Sequence, residues 1–434
     1  MIYFPIMNRS YRTQEQFCPE SSFNIPQNDR YLLIFQRWAA APSVLSINKV
    51  FYILRKSIVL LLLILGAACI RLEPSIFDTS KNPAALFASL LLGSAAGGAV
   101  GWSSSFITGS GPLGIQADAA ANRLYVVNNG SNTFTVFNAA TGAVVSTLPT
   151  GQFPSLVAVN STANLAYVTN RQSNSVTFFN AATGAYAFGG SLAASTFNTG
   201  SSPFGVAVNT AANLLYVANS TANTVTFFNA TTGAYAFGTL GASSFTTGNN
   251  PLGIAVNPAA NLMYIMNFLS NTITFFNATT GAYAFGGTLA ASSFTLGTSG
   301  FPAGVAFNPA ANLLYVGSQN SNTLTFFNAT TGAYAFGGTL AASSFPTGDK
   351  PVLIALNTSA NLIYVTNWNS NTVTFFNATT GDYAFGGTLA ASSFNTGTAP
   401  RGVAVNPTAN LLYVANWTSN TITVLNAMTG AYSF

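Results

Sequence analysis

From Gly111 onward, short apolar runs alternate with polar turn clusters, and one order of runs returns seven times. A single unit illustrates it. "PFGVAVN" at 203–209 is an apolar run opened by Pro and closed by Asn; "NLLYVAN" at 213–219 is a second and "NTVTFFNA" at 223–230 a third. "AYAF" at 234–237 and "SSFTTG" at 243–248 supply a fourth, separated by "GTLGA". Runs of this length, bounded by Gly, Pro, Asn and Ser, predict β-strands. No stretch carries a helical period of any length.

The Phe pairs, such as Phe227-Phe228, sharpen this reading. Neighbours on a strand point to opposite faces, so two consecutive Phe imply a sheet buried on both sides. A single sandwich sheet would alternate apolar and polar positions instead. Blades stacked around an axis bury both faces of every sheet. A β-solenoid is the runner-up, but its rungs are shorter. The recurring Tyr falls at Tyr125, Tyr167, Tyr216, Tyr264, Tyr315, Tyr364 and Tyr413, spaced by 42 to 51 residues. Such a period indicates a propeller or solenoid unit. The expected fold is all-β: a seven-bladed β-propeller of four-stranded antiparallel blades.

The last phrase, "TGAYSF" at 429–434, stops where other copies run on into "GGTLAASSF". The matching half, "SSSFITG" at 103–109, stands before the first blade. It is expected to complete blade 7, lying against the third strand near 421–426 and leaving no raw inner edge.

The units carry Tyr167-Val168-Thr169-Asn170 and Tyr364-Val365-Thr366-Asn367, varied elsewhere as Tyr-Val-Ala-Asn or Tyr-Ile-Met-Asn. Residues 103–434 thus resemble the YVTN β-propeller repeat family. The resemblance implies a seven-bladed propeller, often secreted or on cell surfaces, with a fold shared by surface-layer proteins, propeller lactonases and some dehydrogenases.

The first hundred residues read differently. "KVFYILRKSIVLLLLILGAAC" at 49–69 places basic residues before an apolar run and small residues before Cys69. That run is too short to span a bilayer and suits a signal-peptide core. The segment resembles a bacterial lipoprotein signal, departing from it at Gly66, where Leu is the rule. The resemblance implies lipidation of Cys69, a membrane anchor, and an outer-membrane, surface or secreted fate. Residues 1–48 form an N-terminal extension, either untranslated, with initiation near Val50 or Leu54, or the cytoplasmic tail of an uncleaved anchor. Residues 70–102 read as an apolar, small-residue tether.

Charge is scarce, at 5% of residues with a net +5. Most of the excess lies in residues 1–102; residues 103–434 hold only Arg123, Arg171, Lys350 and Arg401 against Asp118, Asp349 and Asp382, a net +1. There is no basic stripe for nucleic acid. The chain has no His, and its two Cys, Cys18 and Cys69, precede the repeats. The repeats therefore offer no imidazole or thiolate for a metal, no clustered carboxylates and no base to activate Ser or Thr. No metal, cofactor or catalytic residue is expected.

Against near-identical copies, the position four after each Tyr varies: Asn129, Arg171, Ser220, Phe268, Gln319, Trp368 and Trp417. The links into each next blade vary too, contributing Phe153, Asn249, Asn250, Phe301, Asp349, Lys350 and Arg401. In a four-stranded meander these turns and links share one face. Aromatics and Arg there point to binding of a protein or a glycan, the latter stacked on Trp368 and Trp417; free drift of loop tips, or packing of the aromatics on neighbouring loops, is the competing account. The expected role is a monomeric, non-catalytic adhesion or scaffold module, with a lactonase of 6-phosphogluconolactonase type as the alternative.

Overall fold

The computed structural model describes residues 105–297 and 300–433. The segments expected at 1–48, 49–69 and 70–102, with Cys69, lie outside them. The described chain forms seven four-stranded antiparallel sheets, each a meander of consecutive strands apart from the last. Blade 3 is typical: Pro203–Asn209, Leu214–Asn219, Thr224–Asn229 and Ser244–Thr246 follow in order. First strands of neighbouring blades touch one another, so they form the inner ring and fourth strands the rim. This is the propeller expected from the repeats.

The Phe pairs are placed as the two-sided burial requires. Phe228 packs with Tyr167, Phe178 and Leu215 between blades 2 and 3, while Phe227 packs with Tyr216, Met263 and Phe276 between blades 3 and 4. Each of the seven joints holds such a cluster. Tyr216 meets Phe227 edge-on at 4.8 Å, an arrangement that aromatic quadrupoles favour.

The fourth strand differs in detail from a simple run. Ser244–Thr246 pairs with Thr224, Val225 and Thr226, whereas "AYAF" contributes a single bridge, Tyr235 to Phe228. The intervening loop leaves the sheet because its Gly and Ala residues have little to bury. In blade 5 it winds one helical turn, Leu340–Ser343, capped by Thr339, where no helix was expected. Blade 1 has no such loop, which accounts for its short spacing, and its fourth strand Val144–Pro149 is continuous.

Ring closure follows the expectation. Ser105–Ile107 pairs antiparallel with Thr423, Ile422 and Thr421, completing the sheet of Pro400–Asn406, Leu411–Asn416 and Thr421–Asn426. The edge it covers is the outward one, since the inner edge of every blade is its first strand; this corrects the expected inner edge. Phe106 also packs on Phe137 of blade 1 at 5.0 Å.

A candidate binding face on blades 6 and 7

Fifteen Asn adopt φ between 51° and 57°: Asn250 in a link, and two per blade, one in each of the two turns flanking the second strand. Asn tolerates this left-handed conformation better than other residues with a Cβ. The second Asn of each blade also reaches across the joint. Asn132, Asn174, Asn223, Asn322 and Asn371 accept the backbone N–H of Phe153, Ser202, Asn250, Lys350 and Ala399, at 2.7–2.8 Å. Asn420 accepts that of Gly111 at 2.8 Å, so the closing joint is built like the others.

The same link residues then receive the variable position. Arg171 N–H donates to the Phe153 carbonyl, Phe268 to Asn250, Gln319 to Phe301, Trp368 to Lys350 and Trp417 to Ala399. The links and the second turns therefore share one face, as the meander predicts. The link residues hold φ between 46° and 57°, unusual for Phe or Lys, because the following Pro and the Asn clamp set the backbone.

The side chains fall into three groups rather than one patch. Phe153, half exposed, and Arg171, exposed, stand at blade 2. Phe268 and Phe301 pack at 5.0 Å beside Gln319 between blades 4 and 5. Lys350, Trp368, Arg401 and Trp417 gather at blades 6 and 7. Asn129 and Ser220 are buried ties: their side chains donate to the Pro154 and Ser202 carbonyls.

Arg401 is corrected in its placement. It is the second residue of the first strand of blade 7, not part of the link. Its guanidinium lies 4.7 Å from the Trp368 ring and 4.3 Å from the Trp417 ring, with Lys350 Nζ 5.4 Å from Trp368. The indoles therefore do not form the bare stacking pair expected for a glycan. The Arg401 Nε is buried with no hydrogen-bond partner, and burial pulls its pKa below the ordinary arginine value.

Sequence reasoning missed Leu269, 59% exposed beside Phe268. The signal was present, since the other residues five after the Tyr are Gly130, Gln172, Thr221, Asn320, Asn369 and Thr418, and none is a large apolar residue.

The carboxylates are engaged by turn residues, Asp118 by turns of both blade 1 and blade 2. Asp118 accepts from Ser161 Oγ at 2.5 Å and from Ala121 N–H at 3.0 Å. Asp349 accepts from Asn369 at 2.9 Å and Asp382 from Thr380 at 2.7 Å. Among the described residues no group of three His, Cys, Asp or Glu could hold a metal, and no helix is long and apolar enough to cross a membrane.

Residues 102–241, 189–347 and 241–386 match the family model described as "Lactonase, 7-bladed beta-propeller". Among curated proteins none matches the chain by sequence. Among solved structures, a chain of Kuenenia stuttgartiensis hydrazine synthase is similar at 16% identity and a TM-score of 0.59, over 76% of this chain and 100% of that one. At that identity the likeness concerns the fold alone. By its three overlapping family-model matches, the chain belongs to the seven-bladed β-propeller lactonase family.

Proposed function

We propose that this propeller is a binding module that engages a partner through the face carrying Lys350, Trp368, Arg401 and Trp417. The observation that carries the reading is the concentration of two cations and the propeller's two Trp at one joint of an otherwise charge-poor ring. Aromatic and Arg side chains dominate binding hot spots because they offer large contact area and directed hydrogen bonds. The YVTN-like repeats and the lipoprotein-like segment ending at Cys69 support a surface-anchored or secreted setting. Mass spectrometry of the mature protein tests this part: a chain beginning at a lipidated Cys69 is expected, and retention of residues 1–48 overturns it.

The test of the binding reading is a glycan and protein array probed with the full chain and with a Trp368→Ala/Trp417→Ala variant. Loss of the bound species in the variant is expected; identical binding by both sinks the reading.

Family membership favours a second reading, lactone hydrolysis. General acid–base chemistry needs groups that reach one substrate together. Here the three propeller carboxylates are engaged by residues of separate turns. Turnover of a lactone panel by the purified chain, abolished by substituting one of these Asp, would establish the hydrolase in place of the binding module.

A further inference from the structure

We infer that the ligand of this face is an acidic glycan, bound through a sugar carboxylate on Arg401; the inference rests on the binding-module reading above. Arg401 occupies a position that is otherwise uncharged around the ring. Its counterparts, second in the first strands of blades 1 to 6, are Leu113, Ser155, Phe204, Leu252, Ala303 and Val352. One cation therefore stands in the inner ring, at the end of the strands nearest the variable face.

The guanidinium is held but not satisfied. Trp368 and Trp417 lie 4.7 and 4.3 Å from it. Cation–π contact uses the faces of the rings and leaves the N–H donors to find their own partners. Nε is buried without one, and among the described residues no carboxylate forms an ion pair with Arg401. The nearby Asp349 is engaged by Asn369. The terminal Nη groups are not sealed in with Nε and have no protein partner among the described residues, so an arriving carboxylate can take bidentate hydrogen bonds from them and offset the cost of holding the charge partly out of water. Partial burial strengthens the attraction relative to open solvent. Lys350, over the same Trp368 ring, adds to the positive potential.

The surroundings select a sugar over a run of acidic residues. Asn369, Thr398 and Ser419 supply neutral amides and hydroxyls in the flanking turns and links, the class of group that pairs with sugar hydroxyls. An acidic peptide presents one charge per residue and calls for a cluster of cations, whereas only Arg171 joins Lys350 and Arg401 among the candidate residues of this face.

The experiment uses Trp emission from the full chain, with Trp368→Phe/Trp417→Phe to isolate the signal of this site. The titrants are oligogalacturonate, the same oligomer after reduction of its carboxyls, and oligoglutamate. Oligogalacturonate is expected to shift the emission, with binding that weakens as salt rises. Arg401→Gln should weaken it at least tenfold, Arg401→Lys less, with both variants checked by thermal melting. Equal binding of the reduced oligomer, or no effect of Arg401→Gln, overturns carboxylate recognition while leaving the binding face standing. Preference for oligoglutamate overturns the glycan. No response to any titrant overturns the inference, and the array with the double-Trp variant then judges the binding reading separately.

Discussion

The Thr366 hydroxyl donates a 2.7 Å hydrogen bond to the carbonyl of Arg401, across the joint between blades 6 and 7. It also contacts the Leu353 backbone at 3.2 Å. Thr169 makes the same ties to Phe204 and Leu156. Blades 2 and 6 are the two with Tyr-Val-Thr-Asn, and both have Leu where the other five first strands have Gly. In those five, the glycine backs onto the next blade's first strand: a Cβ on Gly402 would sit 2.3 Å from the Leu113 carbonyl. The joints thus have two solutions, a glycine with close strand approach or a Leu with a bridging Thr.

Thr366→Val should lower stability by about 1 kcal/mol or more, because it leaves a partly buried carbonyl without this partner at nearly unchanged volume. Thermal melts measure it, and an unchanged melting temperature would remove the proposed tie. The same variant should disturb Trp emission, since the Arg401 backbone it releases carries the guanidinium that lies over Trp368 and Trp417.

Gly402→Leu alone should destabilise by about 1–3 kcal/mol through overpacking at the closing joint. Adding Ala415→Thr rebuilds the pattern of blades 2 and 6 and should recover part of the loss. A double-mutant cycle reads the coupling, and strict additivity contradicts the two-solution account.

Six of the recurring Tyr donate to a carbonyl in the following blade, as Tyr364 does to Ala427 at 2.8 Å. The Tyr125 hydroxyl is the exception, buried with no partner, in the blade that has Asp118 in place of Asn and Arg123 in place of Leu. Tyr125→Phe is therefore expected to be neutral or stabilising, and Tyr364→Phe to cost about 1 kcal/mol or more. Equal losses in chemical denaturation would show that Tyr125 is bonded after all.

Burial pushes Tyr167, Tyr216, Tyr264, Tyr315 and Tyr364 up to about 12, partly offset by a hydrogen bond from a neighbouring Asn. Tyr125 and Tyr413 are raised as well, chiefly by burial. The folded pKa values exceed the unfolded value of 10, so the unfolded state loses its protons first. The contribution is complete below pH 10 and falls as pH rises through 12, by at most about 1.4 kcal/mol per pH unit for each Tyr. Denaturation midpoints from pH 7 to 12 should stay level and then drop steeply above 10; a gradual decline beginning near neutrality would not fit.

Phe106→Ala removes the ring that seats the closing strand on Phe137. It should cost about 2–4 kcal/mol and promote association, because release of Ser105–Ile107 bares the edge of Thr421–Asn426. Melting with light scattering tests both parts, and a stable, monomeric variant rules out the closure as a stabilising element.

Much of this protein is legible along the chain. The period of the Tyr, the paired Phe and the split phrase at the two ends specify seven blades and their closure, because strand alternation and the need to bury both faces leave few arrangements. The grouping of links and second turns on one face also follows from the meander alone. Tertiary structure decided what those residues do there. Arg401 reads as a loop residue, yet it is the second residue of an inner strand and lies over the Trp368 and Trp417 rings, since the curvature of the ring brings positions from two blades together. Asn129 and Ser220 read as residues of the variable face and are buried ties. Strand order is written in a local pattern, whereas the contacts between neighbouring blades depend on how the finished sheets stack.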